Sequence, residues 1–191
     1  MHIVFGGSFN PPTKAHLHIV ETLHEKFKDA TILVLPVGDD YKKPELISFF
    51  HRKNMLDLLF SQKPYVKVLE NEKERAYQGT LYSLNELNTT YKNLYFVIGS
   101  DNLMDLFTWI EYKKLLANYP FIIMNRNHYL KKEEAEKIFK DIPHQFEFVE
   151  FDMPISSTKV RENIEKSKDS LTKRVHVYIK KHKLYKEQKH V

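Results

Sequence analysis

The sequence predicts an α/β fold, a parallel sheet covered by helices on both faces, with a small helical appendage at the carboxyl end. Short apolar runs rich in β-branched and aromatic residues alternate with longer amphipathic stretches, which implies right-handed βαβ units. No internal repeat, low-complexity linker or break in composition divides the 191 residues, so one domain spanning 1–191 is expected. From about residue 157 onward only helical patterns follow.

The strands are expected at His2–Phe5, Thr31–Pro36, Tyr65–Leu69, Leu94–Ile98, Phe121–Met124 and Phe146–Phe151. Their lengths and their β-branched and aromatic content favour strand over buried helix. Helical spacing fills the intervals at about Ala15–Phe27, Phe49–Phe60, Leu81–Thr89, Leu103–Ala117 and Lys132–Phe139. At the carboxyl end Ser157 is suited to cap a short helix, Thr158–Lys166. A last helix from Leu171 carries Leu171, Val175, Tyr178 and Ile179 on one face. A sheet of this kind binds ligands beyond the carboxyl ends of its strands, so the loops after the strands are where chemistry is expected.

Composition narrows the function. A hydrophobic fraction of 42% and a charged fraction of 29% are ordinary for a soluble globular chain. The absence of cysteine excludes disulfides and thiolate metal sites. Met1 runs straight into the first strand and no apolar run is long enough to span a bilayer, so no signal segment and a cytoplasmic location are expected. The net charge of +5 owes much to Lys173–His190, where Glu187 is the only acid. The rest is close to neutral, so neither a broad nucleic-acid face nor a membrane surface is expected.

The first strand runs into Gly6-Gly7-Ser8-Phe9-Asn10-Pro11-Pro12-Thr13-Lys14-Ala15-His16. Two glycines after a strand let backbone amides approach a phosphate, and the prolines hand the chain to a helix near Thr13. His16 then falls in the first helical turn, beside unsatisfied amides and the positive end of the dipole. The dipole disfavours further positive charge there, so the free imidazole is expected to be neutral, with a bound triphosphate favouring its protonated form. Near the other end, Ile155-Ser156-Ser157-Thr158-Lys159-Val160-Arg161 offers hydroxyls and amides at a helix start. Arg161 lies one turn further on, with a fork of donors for the same anion.

Together these strings resemble the two signatures of the Rossmann-like nucleotidyltransferase superfamily. Gly7, Phe9, Pro11, Thr13 and His16 match the first, and Ile155, Ser156, Ser157, Thr158 and Arg161 match the second. Ala15 departs from the glycine usual there. Gly99-Ser100-Asp101-Asn102-Leu103 followed by Trp109 is similar to the segment by which pyridine mononucleotide adenylyltransferases contact nucleotide and stack on the pyridine ring. Lys42, Lys43 and Arg52 fall where these enzymes present cations to substrate phosphates. Gln78-Gly79-Thr80 falls where bacterial nicotinate-nucleotide members carry Ser-Tyr-Thr, so Thr80 matches and Gly79 leaves the aromatic position without a ring.

The resemblance implies transfer of AMP from ATP to nicotinate or nicotinamide mononucleotide. It implies Thr13, His16, Lys43 and Arg161 as the catalytic set, and Gly7, Ser8, Phe9, Thr13, His16, Gly99, Asp101, Ile155, Ser156, Ser157 and Arg161 around ATP. For the mononucleotide it implies Ser8, Phe9, Lys42, Lys43, Arg52, Thr80, Trp109 and Arg126. Mg²⁺ is expected to be held mainly by substrate phosphates, with no protein metal site. A phosphate monoester is already anionic at neutral pH, so no general base is required of the protein. Three alternatives stay open: a sister enzyme acting on another phosphorylated acceptor, a non-enzymatic nucleic-acid-binding protein, and a catalytically silent nucleotide sensor. The choice between the two mononucleotides and the oligomeric state, a homo-oligomer included, also stay open.

Overall fold

The computed structural model describes residues 1–43, 45–126 and 130–185, the side chain of Arg126 excepted. Six strands form one parallel sheet: β1 His2–Gly7, β2 Thr31–Pro36, β3 Val66–Val68, β4 Leu94–Gly99, β5 Phe121–Arg126 and β6 Phe146–Phe151. Their order is β3-β2-β1-β4-β5-β6. The chain builds outward from β1 in one direction, then crosses back to β4 and builds outward in the other. A crevice therefore opens between the carboxyl ends of β1 and β4. Gly6 and Gly7 close β1 and Gly99 closes β4, so all three stand at that crevice.

Alternation along the strands divides the core between two faces. Ile3, Phe5, Ile32 and Val34 are buried on one face together with residues of α1 (Lys14–Lys26), α2 (Phe49–Phe60) and α7 (Lys173–Lys181). Val4, Leu33, Leu35, Phe96 and Ile98 are buried on the other, with residues of α3 (Thr80–Thr90), α4 (Tyr112–Asn118) and α5 (Lys132–Ile138). The strands read as near-continuous apolar runs because both faces are covered.

The short α6 (Ser157–Glu162) follows β6 and buries Val160. Helix α7 buries Val175 and Ile179, and Leu171 just before it is also buried. The Tyr178 hydroxyl fastens α7 to α2, accepting from Asn54 Nδ2 and meeting His51 Nδ1, each at 3.0 Å. Among the described residues no helix is long and apolar enough to cross a membrane.

Three helices differ from expectation. The helix expected over Leu103–Ala117 is broken into 3₁₀ turns at Ser100–Asn102 and Met104–Thr108, followed by α4. Trp109 is extended and Glu111 is left-handed, with φ of 52°. Leu103, Leu106, Leu115 and Leu116 are nonetheless all buried, so the apolar spacing runs through a break that periodicity cannot reveal. The helix expected to reach Lys166 ends at Glu162, where Asn163 turns extended and its side chain accepts from the Lys166 amide. The last helix begins at Lys173 rather than Leu171, because Thr172 caps it through the Val175 amide.

Candidate active site

A cleft of about 650 Å³ occupies the crevice. Gly6, Gly7, Ser8, Phe9, His16 and Ser157 line it, drawing together the ends of a segment some 150 residues apart. Gly99 and Asp101 line it from the end of β4. A β-carbon on Gly99 would fall 2.2 Å from Asp101 Oδ1, so the Asp101 side chain returns closely over the strand end and a larger residue there would displace it.

His16 is the third residue of α1 and its ring packs on Phe9, 5.1 Å between centroids. Its Nδ1 lies 2.9 Å from the Thr13 backbone amide and 2.9 Å from Thr13 Oγ1. A backbone N–H can only donate, so Nδ1 is an acceptor and the ring proton belongs on Nε2. This agrees with the neutral imidazole expected from the helix dipole. Thr13 is 1% exposed and does not line the cleft. It therefore holds the histidine rather than reaching the reacting centre itself.

The cations divide sharply. Lys43 lines the cleft and its Nζ donates to Ser8 Oγ at 3.2 Å. Partial burial and the neighbouring Arg161 guanidinium hold its pKa below that of an ordinary lysine. Lys42 is exposed and off the cleft. Arg52, expected at the substrate phosphates, is 0% exposed and turned inward. It donates to Ile47 O at 2.8 Å, Ser8 O at 3.1 Å and Asp39 Oδ1 at 3.1 Å, tying α2 to the glycine-rich turn. Burial lowers its pKa and Asp39 opposes the shift.

Arg161 also differs from expectation. Its fork donates to the Asn10 carbonyl at 2.7 Å, to Thr158 Oγ1 at 3.3 Å and to Glu45 at 3.3 Å, and it does not line the cleft. Asn10, fully buried, accepts from the Tyr185 hydroxyl at 2.7 Å and donates to Glu45 O at 2.9 Å. Burial pushes the Tyr185 phenol far up, against the pull of Arg161 and Arg52. The carboxyl-terminal elements thus grip the glycine-rich turn from behind. Ser157 assists, donating to Pro11 O at 2.9 Å. Ser156 precedes α6 at the N-cap position without a side-chain cap bond, and Ile155 packs on the core; neither lines the cleft. The Arg126 side chain lies outside the described residues.

A second set of cleft residues gathers around the start of α3. Trp109 is half-buried with its ring 6.2 Å from Phe96, and Thr80 opens the helix. Tyr77 meets Tyr41 edge-on at 4.9 Å. Gly79, at φ of 94°, packs against Ile110. Sequence reasoning missed Tyr41, Tyr77, Ser83, Ile110 and Glu72 here. The one available signal was the ring missing at Gly79, two residues after a tyrosine. Among the described residues no cluster of three or more His, Asp or Glu side chains could hold a metal ion.

The model of the cytidylyltransferase-like family matches residues 4–163. A protein of Acholeplasma laidlawii named "Probable nicotinate-nucleotide adenylyltransferase" is 40% identical over 190 residues, 99% of this chain and all of that one. A protein of the same name from Caldicellulosiruptor bescii is 28% identical, covering 96% of this chain and 97% of its own. Two structures of Plasmodium falciparum nicotinic acid mononucleotide adenylyltransferase, one complexed with APC and one with NaAD, superpose with a TM-score of 0.74. They are 27% identical to this chain and cover 96% of both chains. The chain belongs to the cytidylyltransferase-like family and, within it, to the nicotinate-nucleotide adenylyltransferases.

Proposed function

We propose that this chain, as one of the nicotinate-nucleotide adenylyltransferases, transfers the AMP moiety of ATP to nicotinate mononucleotide, or to nicotinamide mononucleotide, and releases pyrophosphate. The product is deamido-NAD or NAD, a step of NAD biosynthesis. The observation that carries the reading is His16, held by Thr13 with its proton on Nε2, in a cleft at the crevice between β1 and β4.

An oxygen of the mononucleotide 5′-phosphate attacks the α-phosphorus of ATP. The new P–O bond forms as the bond from the α-phosphorus to the bridging oxygen breaks, and that oxygen leaves with pyrophosphate. The attacking phosphate is already anionic at neutral pH, so the protein has to align two polyanions and absorb charge on the α-phosphate. His16 Nε2–H donates to that developing charge, and Lys43 offsets charge on the phosphates beside Ser8. Thr13, Arg52 and Arg161 act at one remove, by fixing His16 and the turn of Ser8–Pro11. Trp109 offers a ring face to the pyridine. Mg²⁺, when bound, supplies further charge neutralisation on the triphosphate. Its ligands are expected from substrate oxygens and water.

The test is an acceptor panel with ATP and Mg²⁺. The reading requires pyrophosphate release with nicotinate or nicotinamide mononucleotide at a kcat/KM well above that with other phosphorylated acceptors. Faster turnover with an acceptor lacking the pyridine ring would replace this function with that of a sister enzyme.

A further inference from the structure

Asn10 joins three separate stretches of the chain. It is fully buried in the glycine-rich turn. Its Nδ2 donates to Glu45 O at 2.9 Å, its carbonyl accepts from Arg161 Nη1 at 2.7 Å, and its Oδ1 accepts from the Tyr185 hydroxyl at 2.7 Å. A backbone carbonyl can only accept, so the amide nitrogen has to face Glu45 and the amide oxygen has to face Tyr185. The phenol is therefore the donor, and burial, which raises its pKa, keeps the proton on it. The Ile47 amide lies 3.5 Å from the same oxygen, too far to stand in for a bond of 2.7 Å.

The backbone is shaped to deliver that hydroxyl. Helix α7 ends with Lys183 in the left-handed region, at φ of 53°. The Lys183 amide donates to Lys180 O at 3.2 Å and the Leu184 amide to Ile179 O at 3.1 Å. This pair of bonds closes a helix and turns the chain away from its axis, and here it is made with a lysine where glycine would be unstrained. Tyr185 is left-handed as well, at φ of 55°. Leu184 and Tyr185 then pack against the core shared with α2 and α7.

From Asn10 the effect reaches the cleft. Ser8 and Asn10 of the turn face Lys43 and Glu45 of the loop after β2 across two rungs. Lys43 Nζ donates to Ser8 Oγ at 3.2 Å, and Asn10 Nδ2 donates to Glu45 O at 2.9 Å. Ser8 and Lys43, the first rung, line the cleft. The second is made by the buried Asn10, and its geometry depends on the amide orientation that Tyr185 sets. We propose that Tyr185 is a positioning residue for the phosphate-binding part of the cleft: by fixing the Asn10 amide, its hydroxyl holds the Lys43 loop in register with Ser8. This rests on the function proposed above, in which Lys43 meets substrate phosphate.

Tyr185→Phe tests it, since the buried ring stays and only the hydroxyl goes. The experiment measures KM and kcat with ATP, Mg²⁺ and nicotinate mononucleotide, well below the melting temperature of each variant. Expected is a rise in KM for the phosphorylated substrates of about three- to tenfold, the scale of one hydrogen bond, with a smaller change in kcat. In a Lys43→Ala background the same substitution should add less than about twofold, because the cation it positions is gone. Tyr178→Phe is the structural control. It removes a hydroxyl that fastens α7 to α2 and does not touch Asn10, so it should lower the melting temperature and leave both KM values alone. An unchanged KM in Tyr185→Phe, an equal effect with and without Lys43, or an equal rise in KM in Tyr178→Phe overturns the inference. No pyrophosphate release by the native protein with either mononucleotide would instead overturn the function on which it rests.

Discussion

The Thr13 amide donates to Nδ1 of His16 over 2.9 Å, and this bond decides which nitrogen can face a substrate. The imidazole cannot donate from Nδ1 without giving up the Thr13 amide bond. A neutral histidine presenting Nε2–H is the donor the fold supplies, with no change of protonation required when ATP arrives.

His16→Ala removes that donor while leaving an alanine where a helix tolerates it. Turnover should fall on the order of 10²-fold or more, with a much smaller change in KM for ATP, as for loss of an oxyanion-type donor. The folded state should persist by circular dichroism. Near-normal kcat in this variant removes His16 from the chemistry.

Thr13→Val tests the support rather than the donor. The valine keeps the backbone amide bond to Nδ1 but loses the hydroxyl that caps α1 and touches the same nitrogen. A stability loss of roughly 1 kcal/mol, the usual effect of losing a cap, is expected. The fall in kcat should be smaller than in His16→Ala, and an equal fall would make the hydroxyl itself a substrate contact.

Arg52 separates two roles by which quantity moves. It is fully buried and its loss strands Ile47 O and Ser8 O and leaves Asp39 with the Phe49 amide but without its cation. Arg52→Ala should cost roughly 2–4 kcal/mol, on the basis of about 1–3 kcal/mol for each buried group left unsatisfied. The melting temperature should drop by about 5–15 °C for a chain of this length. A KM effect on the mononucleotide with an unchanged melting temperature would return Arg52 to the phosphate site.

Lys43 predicts a pH dependence. Burial and Arg161 lower its pKa, so its charge is lost at lower pH than that of an ordinary lysine. The phosphate contact is present below the lowered pKa and disappears as pH rises through it. KM for the phosphorylated substrates should therefore climb on the alkaline side. Lys43→Arg, which stays charged, should flatten that climb even if its absolute KM is worse. A parallel climb in both proteins would assign the titration elsewhere.

Much of this was legible in the sequence, and the gaps have physical reasons. The bounds of β2, β6 and α2 coincide with expectation because their apolar runs end where burial ends. The glycine-rich turn and the Ser156-Ser157 segment were found as strings, and the fold brings Ser157 to Pro11 at 2.9 Å. Arg52 misled because a cation near a phosphate motif and a cation neutralised beneath it look alike in one dimension. The kink at Trp109–Glu111 left no glycine or proline to mark it. Glu72 and Tyr77 carry no motif at all; only the fold sets them beside Thr80 and Trp109.

Trp109 tests the pyridine assignment. Trp109→Ala should raise KM for the mononucleotide about three- to tenfold at least, given roughly 0.5–1.5 kcal/mol for ring pairing, and leave KM for ATP nearly alone. Trp109→Phe should be milder. Because Trp109 also touches Phe96, melting temperatures should be read beside both KM values. A large loss of melting temperature with equal effects on both substrates would make the ring structural.

Adenylyl transfer itself is tested most directly by following the α-phosphorus. With ATP labelled there, Mg²⁺ and nicotinate mononucleotide, the label should appear in the dinucleotide with one pyrophosphate released per dinucleotide formed. No labelled AMP or ADP should accumulate. Label retained in ATP, or recovered as AMP or ADP without dinucleotide, would contradict the account.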